Sequence, residues 1–265
     1  MWSDGSSTSR AHRAGRERRA LRRVLRKAGI DAPAYYEEVT ESTNGSALRL
    51  ADGGEPEWTL VLADHQTSGR GRLGRRWISA PGASLLFSFV LRPALEPQEG
   101  LLLTLLAGLS MGEACREVAG TDVRCKWPND LLLRDGKVGG ILTEARVRRG
   151  RLMSVVVGVG INLGSAPEDV DGAVALGPVD RSALLAAFLR NFRGRYHPDG
   201  EAFAHDVISA YRPQCATLGK RVRATVTNGF AVEGVAIDLD PIGNLVVRTD
   251  KGRATVAFGE VLHLR

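Results

Sequence analysis

The chain has 265 residues, 43% of them hydrophobic and 25% charged, with a formal net charge of +6. That is enough chain for one large domain and a small one, with ample core to be stable alone. No apolar run approaches the length of a membrane helix and no apolar signal core opens the sequence, so the reading is a cytoplasmic protein without a membrane partner. The three cysteines (Cys115, Cys125, Cys215) have neither CxxC nor metal-ligand spacing and read as buried thiols in a reducing compartment.

The positive charge is local. Residues 1–28 hold nine of the 36 Lys and Arg and only two of the 30 acidic residues, leaving a body of 27 cations and 28 anions. A neutral body argues against a broad nucleic-acid footprint. Residues 1–15 are expected to be disordered. Residues 16–28 have helical composition, with Leu21, Val24, Leu25 and Ala28 on one face and Gly29 as a stop. This stretch reads as a basic amphipathic helix lying on the domain that follows, and as too short for a separate DNA-binding domain.

From Tyr35 strands and helices interleave. Strands are expected at Thr59–Ala63, Ser84–Leu91, Leu131–Leu133, Lys137–Glu144 and Met153–Val159, with turns at Arg134-Asp135-Gly136 and near Gly150. Helices are expected from near Ser46, over Glu99–Val118, Arg181–Tyr196 and Glu201–Tyr211. The absence of a strict βαβ period favours an α+β fold with a mixed sheet. After Cys215, five β-branched runs (Lys220–Thr227, Phe230–Asp238, Asn244–Thr249, Arg253–Phe258, Val261–Leu264) are separated by turns, at Asn228-Gly229 among others. They predict a small antiparallel barrel. The division expected is a basic tail (1–28), a catalytic domain (29–215) and a barrel (216–265).

Chemistry concentrates in a few segments. Gly69-Arg70-Gly71-Arg72-Leu73-Gly74-Arg75-Arg76-Trp77 places four arginines on a glycine-rich backbone, an arrangement suited to phosphate and carboxylate oxygens. It matches GxGxxG formally, but arginines fill the gaps and Pro81-Gly82 follow in place of a helix, so it is not a dinucleotide fingerprint. Lys126-Trp127-Pro128-Asn129-Asp130, with proline holding Trp127 extended, precedes Lys137-Val138-Gly139-Gly140-Ile141-Leu142. There Lys137 can point an ammonium into a cleft floored by glycines. Glu144, at the end of that strand, is expected to pair with an arginine. Gly158 and Gly160 clear one face of a strand, for a flat ligand or for close helix packing. Ser42-Thr43-Asn44 can cap a helix or bind a small polar group.

In order, Glu41-Ser42-Thr43-Asn44, Gln66-Thr67-Ser68 with the arginine loop, Lys126–Asp130, Lys137–Leu142 and Gly158-Val159-Gly160-Ile161-Asn162 closely resemble the biotin–protein ligase family, over roughly residues 35–265. The resemblance implies a catalytic domain related to class II aminoacyl-tRNA synthetases followed by an SH3-like domain, in the monofunctional form without a winged-helix repressor. It implies biotin and ATP as substrates, Mg²⁺ as cofactor, biotinyl-5′-AMP as intermediate, and a biotin carboxyl carrier domain of an acyl-CoA or pyruvate carboxylase as acceptor. No specific DNA binding is expected. By the family's pattern, Lys137, Arg70 and Arg72 do the catalytic work. Ser42, Thr43, Asn44, Gln66, Gly69, Arg70, Lys137, Gly139, Gly140, Gly158 and Gly160 would contact biotin. Arg72, Arg75, Trp77, Lys126, Asn129, Asp130 and Asn162 would contact ATP or the adenylate, with Asp130 the candidate metal ligand. The position after Ser84 that the family's pattern expects to close over biotin or adenine is aliphatic here (Leu85, Leu86). A lipoate–protein ligase is the nearest alternative, and a nucleic-acid-binding module the alternative from another class.

Overall fold

The computed structural model describes residues 5–225, 231–257 and 259–264. Helix α1 (Gly5–Lys27) leads into β1 (Ala34–Thr40), α2 (Thr43–Asp52), β2 (Leu60–Gln66), β3 (Ser84–Leu91) and α3 (Leu101–Ala119). Then come β4 (Val123–Lys126), β5 (Asp130–Leu133), β6 (Gly136–Arg148), β7 (Arg151–Asn162), α4 (Arg181–Arg195) and α5 (Phe203–Tyr211). Five short strands follow: β8 (Arg221–Thr225), β9 (Ala231–Leu239), β10 (Leu245–Thr249), β11 (Gly252–Val256) and β12 (Glu260–His263).

The first seven strands form one sheet in the order β1-β2-β3-β7-β6-β5-β4. β1 and β2 run parallel, joined by α2 as a crossover, and the other neighbours are antiparallel, so the sheet is mixed as expected. Every residue of β3 is buried, because this central strand is covered on both faces. Val61, Val90 and Val156 point to α2, where they meet Ala47, Leu48 and Ala51. Leu60, Leu62, Phe87, Phe89, Val155 and Val157 point the other way, into the main core with α3 and α4. Helix α3 is apolar on nearly every side and therefore sits inside the protein. It stops at Gly120, which takes the left-handed conformation a side chain would resist.

Two expectations about the amino terminus have different outcomes. Leu21, Val24, Leu25 and Ala28 are buried in the main core and Gly29 ends the helix with φ of 72°. Disorder over residues 1–15 is not what the structure has: α1 begins at Gly5, with residues 1–4 outside the described set. The reason is tertiary. Arg13 pairs with Glu38 at 3.5 Å and with Asp64 at 2.7 Å, tying the helix to β1 and β2 ahead of its apolar stripe. Polar composition alone does not register such an anchor.

The carboxy-terminal strands form a five-stranded antiparallel sheet in the order β11-β10-β9-β8-β12, the SH3-like unit expected. The expected Asn228-Gly229 turn and the strand ends at Thr227, Phe230 and Phe258 lie outside the described residues. Its apolar residues, Val222, Ala224, Ala236, Leu239, Leu245, Val247, Val256 and Val261, belong to the same contiguous core as the larger sheet. Trp127 joins the two units, donating through its indole to Gly243 O at 2.8 Å and through its backbone to Thr217 Oγ1 at 3.0 Å. The Trp127–Pro128 bond is cis.

The three cysteines are free and buried. Burial pushes the Cys115 thiol up to about 12. Among the described residues no helix is long and apolar enough to cross a membrane.

Candidate active site

The arginine loop is an ordered hairpin. Arg70 and Arg76 pair across it, Gly71 N donates to Arg75 O at 2.7 Å, and Trp77 N donates to Gly69 O at 2.9 Å. Leu73 and Gly74 turn the tip with φ of 55° and 74°. A Cβ on Gly69 would stand 2.6 Å from Trp77 O, so only glycine lets the hairpin close. The arginines then fan out. Arg70 meets Glu144 at 3.0 Å, the pairing expected for that glutamate. Arg72 donates to Asn129 Oδ1 at 3.2 Å and to Gly259 O at 3.3 Å. Arg75 forms an ion pair with Glu260, and Arg76 donates to Thr67 O at 3.1 Å. Burial lowers the Arg72 pKa, while Asp130 opposes the shift. The cation is held where desolvation alone disfavours it.

Facing this loop, the start of β6 presents Lys137, whose Nζ lies 2.6 Å from Asp130 Oδ1. Asn129 is fixed by donating to Ile141 O at 3.0 Å, and Ile141 N donates back to Asn129 O at 2.8 Å. The pairs Lys137–Asp130, Arg70–Glu144 and Arg75–Glu260 each set a cation opposite a carboxylate. An incoming phosphate or carboxylate could therefore exchange for a carboxylate that is already there.

The third wall is polar and neutral. Thr43 donates to Gln66 Oε1 through N (2.7 Å) and Oγ1 (3.0 Å). Ser88 Oγ donates to Asn44 Oδ1 at 2.6 Å, and Asn44 Nδ2 donates to Glu144 Oε2 at 2.7 Å and Leu142 O at 3.1 Å. Ser42 takes the N-cap position of α2 without a side-chain cap bond, which leaves its hydroxyl for other partners. The face cleared by Gly158 and Gly160 is occupied by the protein itself. A Cβ on Gly158 would collide with the Asn44 amide, and one on Gly160 would lie 2.8 Å from the Trp77 ring. Trp77 Nε1 is buried with no hydrogen-bond partner among the described residues.

These walls enclose a cavity of about 340 Å³. It is lined by Ser42, Thr43, Asn44, Gln66, Arg70, Arg72, Arg75, Trp77, Lys126, Asn129, Asp130, Lys137, Gly140, Gly158, Gly160 and Asn162. Gly69 and Gly139 are not in the wall. Gly139 serves packing, since its Cβ would stand 2.8 Å from Gly160 O. Leu85 and Leu86 lie in the buried strand β3, away from the cavity. The Asn162 amide is spent on structure, within 3.2 Å of Ser84 Oγ and donating to Val174 O at 3.1 Å.

Two parts of the wall carry no sequence signal. Pro167, Val170, Asp171 and Ala173 come from an irregular segment pinned beside Lys137, with Lys137 N donating to Gly172 O at 2.7 Å and Val174 N to Lys137 O at 3.0 Å. Gly259, Glu260 and Val261 come from the carboxy-terminal unit, more than 180 residues from the loop they meet. Ile78, half exposed, also stands in the wall.

Residues 36–162 match the Biotin/lipoate A/B protein ligase family, and residues 217–264 match the Biotin protein ligase C terminal domain. The chain is 35% identical over 237 residues to the biotin–[acetyl-CoA-carboxylase] ligase of Mycobacterium tuberculosis, covering 85% of this chain and 87% of that one. It is 33% identical to the ligase of the same name from Paracoccus denitrificans, covering 84% and 97%. Among solved structures, it is similar to the biotin protein ligase of Aquifex aeolicus in complex with biotin and ATP, with a TM-score of 0.68 and 28% identity over 88% of this chain and 98% of that one. The chain belongs to the biotin–protein ligase family.

Proposed function

We propose that the protein is an ATP-dependent ligase that activates biotin as biotinyl-5′-AMP and transfers it to a lysine of a biotin carboxyl carrier domain. The observation that carries this is the convergence of Lys137, Arg70, Arg72 and Arg75 with the Asn44–Gln66 polar wall on one cavity. The polar wall suits an uncharged ring with donors and acceptors, and the cations suit a carboxylate attacking a phosphate.

In the first step the biotin carboxylate attacks the α-phosphorus, the bond to the bridging oxygen breaks and pyrophosphate leaves. Both partners are anionic, so positive charge held in place beforehand is the main requirement. Lys137, released from Asp130, bridges the two reacting groups, and Arg70 and Arg72 hold the phosphate oxygens. Arg75 and Trp77 shape the nucleotide side, with Lys126 and Asn129 on its rim. In the second step the acceptor amine attacks the carbonyl carbon of the mixed anhydride, and AMP leaves with the electron pair. Among the described residues no three His, Cys, Asp or Glu side chains converge as a metal cage. Asp130 is the carboxylate that would hold a Mg²⁺ ion brought by the nucleotide, and the ion would supply neutralisation of charge on the pyrophosphate. The acceptor is the carrier domain of an acyl-CoA or pyruvate carboxylase, the compartment the cytoplasm. The working units are residues 29–215 and 216–265 behind the basic segment 1–28.

The test is pyrophosphate exchange into ATP with biotin and lipoate in parallel. Exchange with biotin alone is the expected result, and exchange with lipoate alone would overturn the substrate.

A further inference from the structure

Trp127 hangs on the carboxy-terminal unit by two bonds of different kinds. Its indole donates to Gly243 O at 2.8 Å, and its backbone N donates to Thr217 Oγ1 at 3.0 Å. The first acceptor is a fixed backbone carbonyl. The second is a hydroxyl, whose hydrogen rotates and whose lone pairs turn with it. What faces the other side of that hydroxyl therefore decides how well the Trp127 backbone is held. Thr217 is fully buried, so bulk water does not reach it. Its partner is His263, whose Nε2 lies 3.1 Å from Oγ1. The Cys215 thiol also reaches the hydroxyl, but sulfur is the weaker acceptor.

Counting donors orders the three groups. The Trp127 N–H can only donate. Thr217 Oγ1 accepts it and has one hydrogen to give, which goes to a ring nitrogen that accepts. The chain then runs head to tail from Trp127 N–H through Thr217 O–H to His263 Nε2, an arrangement in which each bond strengthens the next. It needs a neutral ring with its proton on Nδ1. Burial, with the ammonium groups of Lys126 and Lys220, pushes the imidazole below its ordinary value against the opposing pull of Asp135, so the ring is neutral at pH 7.

The strand that carries His263 also closes the cavity. Side chains two apart on a strand share a face, and on β12 His263 lies next to Val261, which lines the cavity. Trp127 opens the turn between β4 and β5, and all five residues from Lys126 to Asp130 stand in the wall. Within this turn Asn129 accepts from Arg72 at 3.2 Å, and Asp130 pairs with Lys137 at 2.6 Å. A turn that loosens at Trp127 thus moves the partners of two of the cations that face the phosphates.

We propose that Thr217 and His263 are positioning residues for the nucleotide side of the cavity. The imidazole orients the hydroxyl, the hydroxyl fixes the Trp127 backbone, and the turn then holds Lys126, Asn129 and Asp130 where a triphosphate meets them. The proposal rests on the ligase reading above and extends it to two side chains that do not line the cavity.

The experiment compares the full-length wild type with His263→Ala, His263→Gln, Thr217→Val and the double variant Thr217→Val/His263→Ala. Biotin-dependent pyrophosphate exchange gives the KM for ATP and the KM for biotin. His263→Ala is expected to raise the KM for ATP about fivefold, the worth of one hydrogen bond between neutral groups, and Thr217→Val, which strands a buried N–H, about tenfold or more. The KM for biotin stays at its wild-type value. His263→Gln, with an amide oxygen where Nε2 stood, restores the KM for ATP. The double variant is no worse than Thr217→Val, because the ring has nothing left to orient. Hydrogen exchange at isotope-labelled tryptophan reads the bond directly. The Trp127 amide exchanges faster in His263→Ala and not in His263→Gln, while its indole N–H, held by Gly243, stays protected. An unchanged KM for ATP in His263→Ala overturns the proposal, as do additive losses in the double variant or a glutamine variant no better than alanine. Loss of protection at the indole as well shows that the ring serves the fold at large, and overturns it too. Wild type that fails to exchange with biotin overturns the ligase reading instead, which separates the two failures.

Discussion

Arg75 of the arginine loop is ion-paired with Glu260 on β12, and the loop thereby leans on a unit that begins 141 residues further along the chain. Arg72 reinforces this by donating to Gly259 O at 3.3 Å. Glu260→Ala should separate activity from stability. The Arg75 and Glu260 side chains are 60% and 37% exposed, so solvent screening leaves the pair at most about 1 kcal/mol of stability. The melting temperature is therefore expected to move little, while the KM for ATP rises several-fold because the loop loses its rest. Steady-state kinetics beside a thermal melt decide it, and an unchanged KM would reduce the contact to surface decoration.

Lys137→Ala is expected to lower adenylate formation by a factor of about 10² or more, the usual cost of removing one preorganised charge from a developing negative centre. The fold should survive, because the Lys137 backbone keeps its bonds to Gly172 and Val174. Pyrophosphate exchange is the readout. A variant retaining most of its rate would remove Lys137 from the mechanism.

What could be read from the chain followed physical locality. The arginine loop, Lys126–Asp130 and Lys137–Leu142 are local clusters whose residue types announce anion chemistry, and the structure sets them around one cavity. The buried strand Ser84–Leu91 was legible for its unbroken apolar run. Glu260 was not legible, because its role exists only once β12 packs beside the loop. Val170 and Asp171 were not, because an irregular segment has no period to detect. Gly158 was readable only as a cleared face. Whether ligand or protein fills that face depends on Asn44, 114 residues away in the chain.

Arg72→Gly should let the adenylate escape. Glycine removes the donor to Asn129 and Gly259 and frees the backbone of the hairpin next to Leu73, which is already at φ 55°. Free biotinyl-5′-AMP, measured without acceptor, is expected to rise well above the wild-type level. No rise would place the retaining contact elsewhere.

Asp64 gives a pH-dependent prediction away from the site. Burial pushes its carboxyl up, but hydrogen bonds from Tyr36 (2.5 Å) and Arg181 (2.8 Å), with the charge of Arg13, outweigh this and lower it below 3.8. A folded-state pKa below the unfolded one means stability that is complete above about pH 4 and is lost as pH falls through the folded value. Asp64→Asn should thus cost about 1–3 kcal/mol at neutral pH and flatten the acid limb of the stability curve. Denaturant melts at pH 7 and pH 3 test the sign, and an equal loss at both would show that the carboxylate charge is not what matters.

Gly158→Ala tests whether the cleared face of β7 exists for the protein's own sake. The added Cβ would collide with the Asn44 amide, whose atoms are committed to Ser88, Leu142 and Glu144. Something must shift, and the three atoms nearest the added Cβ all belong to the Asn44 amide. Overpacking of this kind costs about 1–3 kcal/mol. Displacing Asn44 also withdraws it from Glu144, and so loosens the Arg70 pairing at the cavity's rim. The expected result is a lowered melting temperature together with a raised KM for biotin. Ser88→Ala should reproduce the KM effect in milder form, since it removes the donor that orients Asn44 without adding bulk. If Gly158→Ala lowers stability but leaves the KM for biotin unchanged, Asn44 is a structural residue and the polar wall of the cavity has to be assigned to Ser42, Thr43 and Gln66 alone.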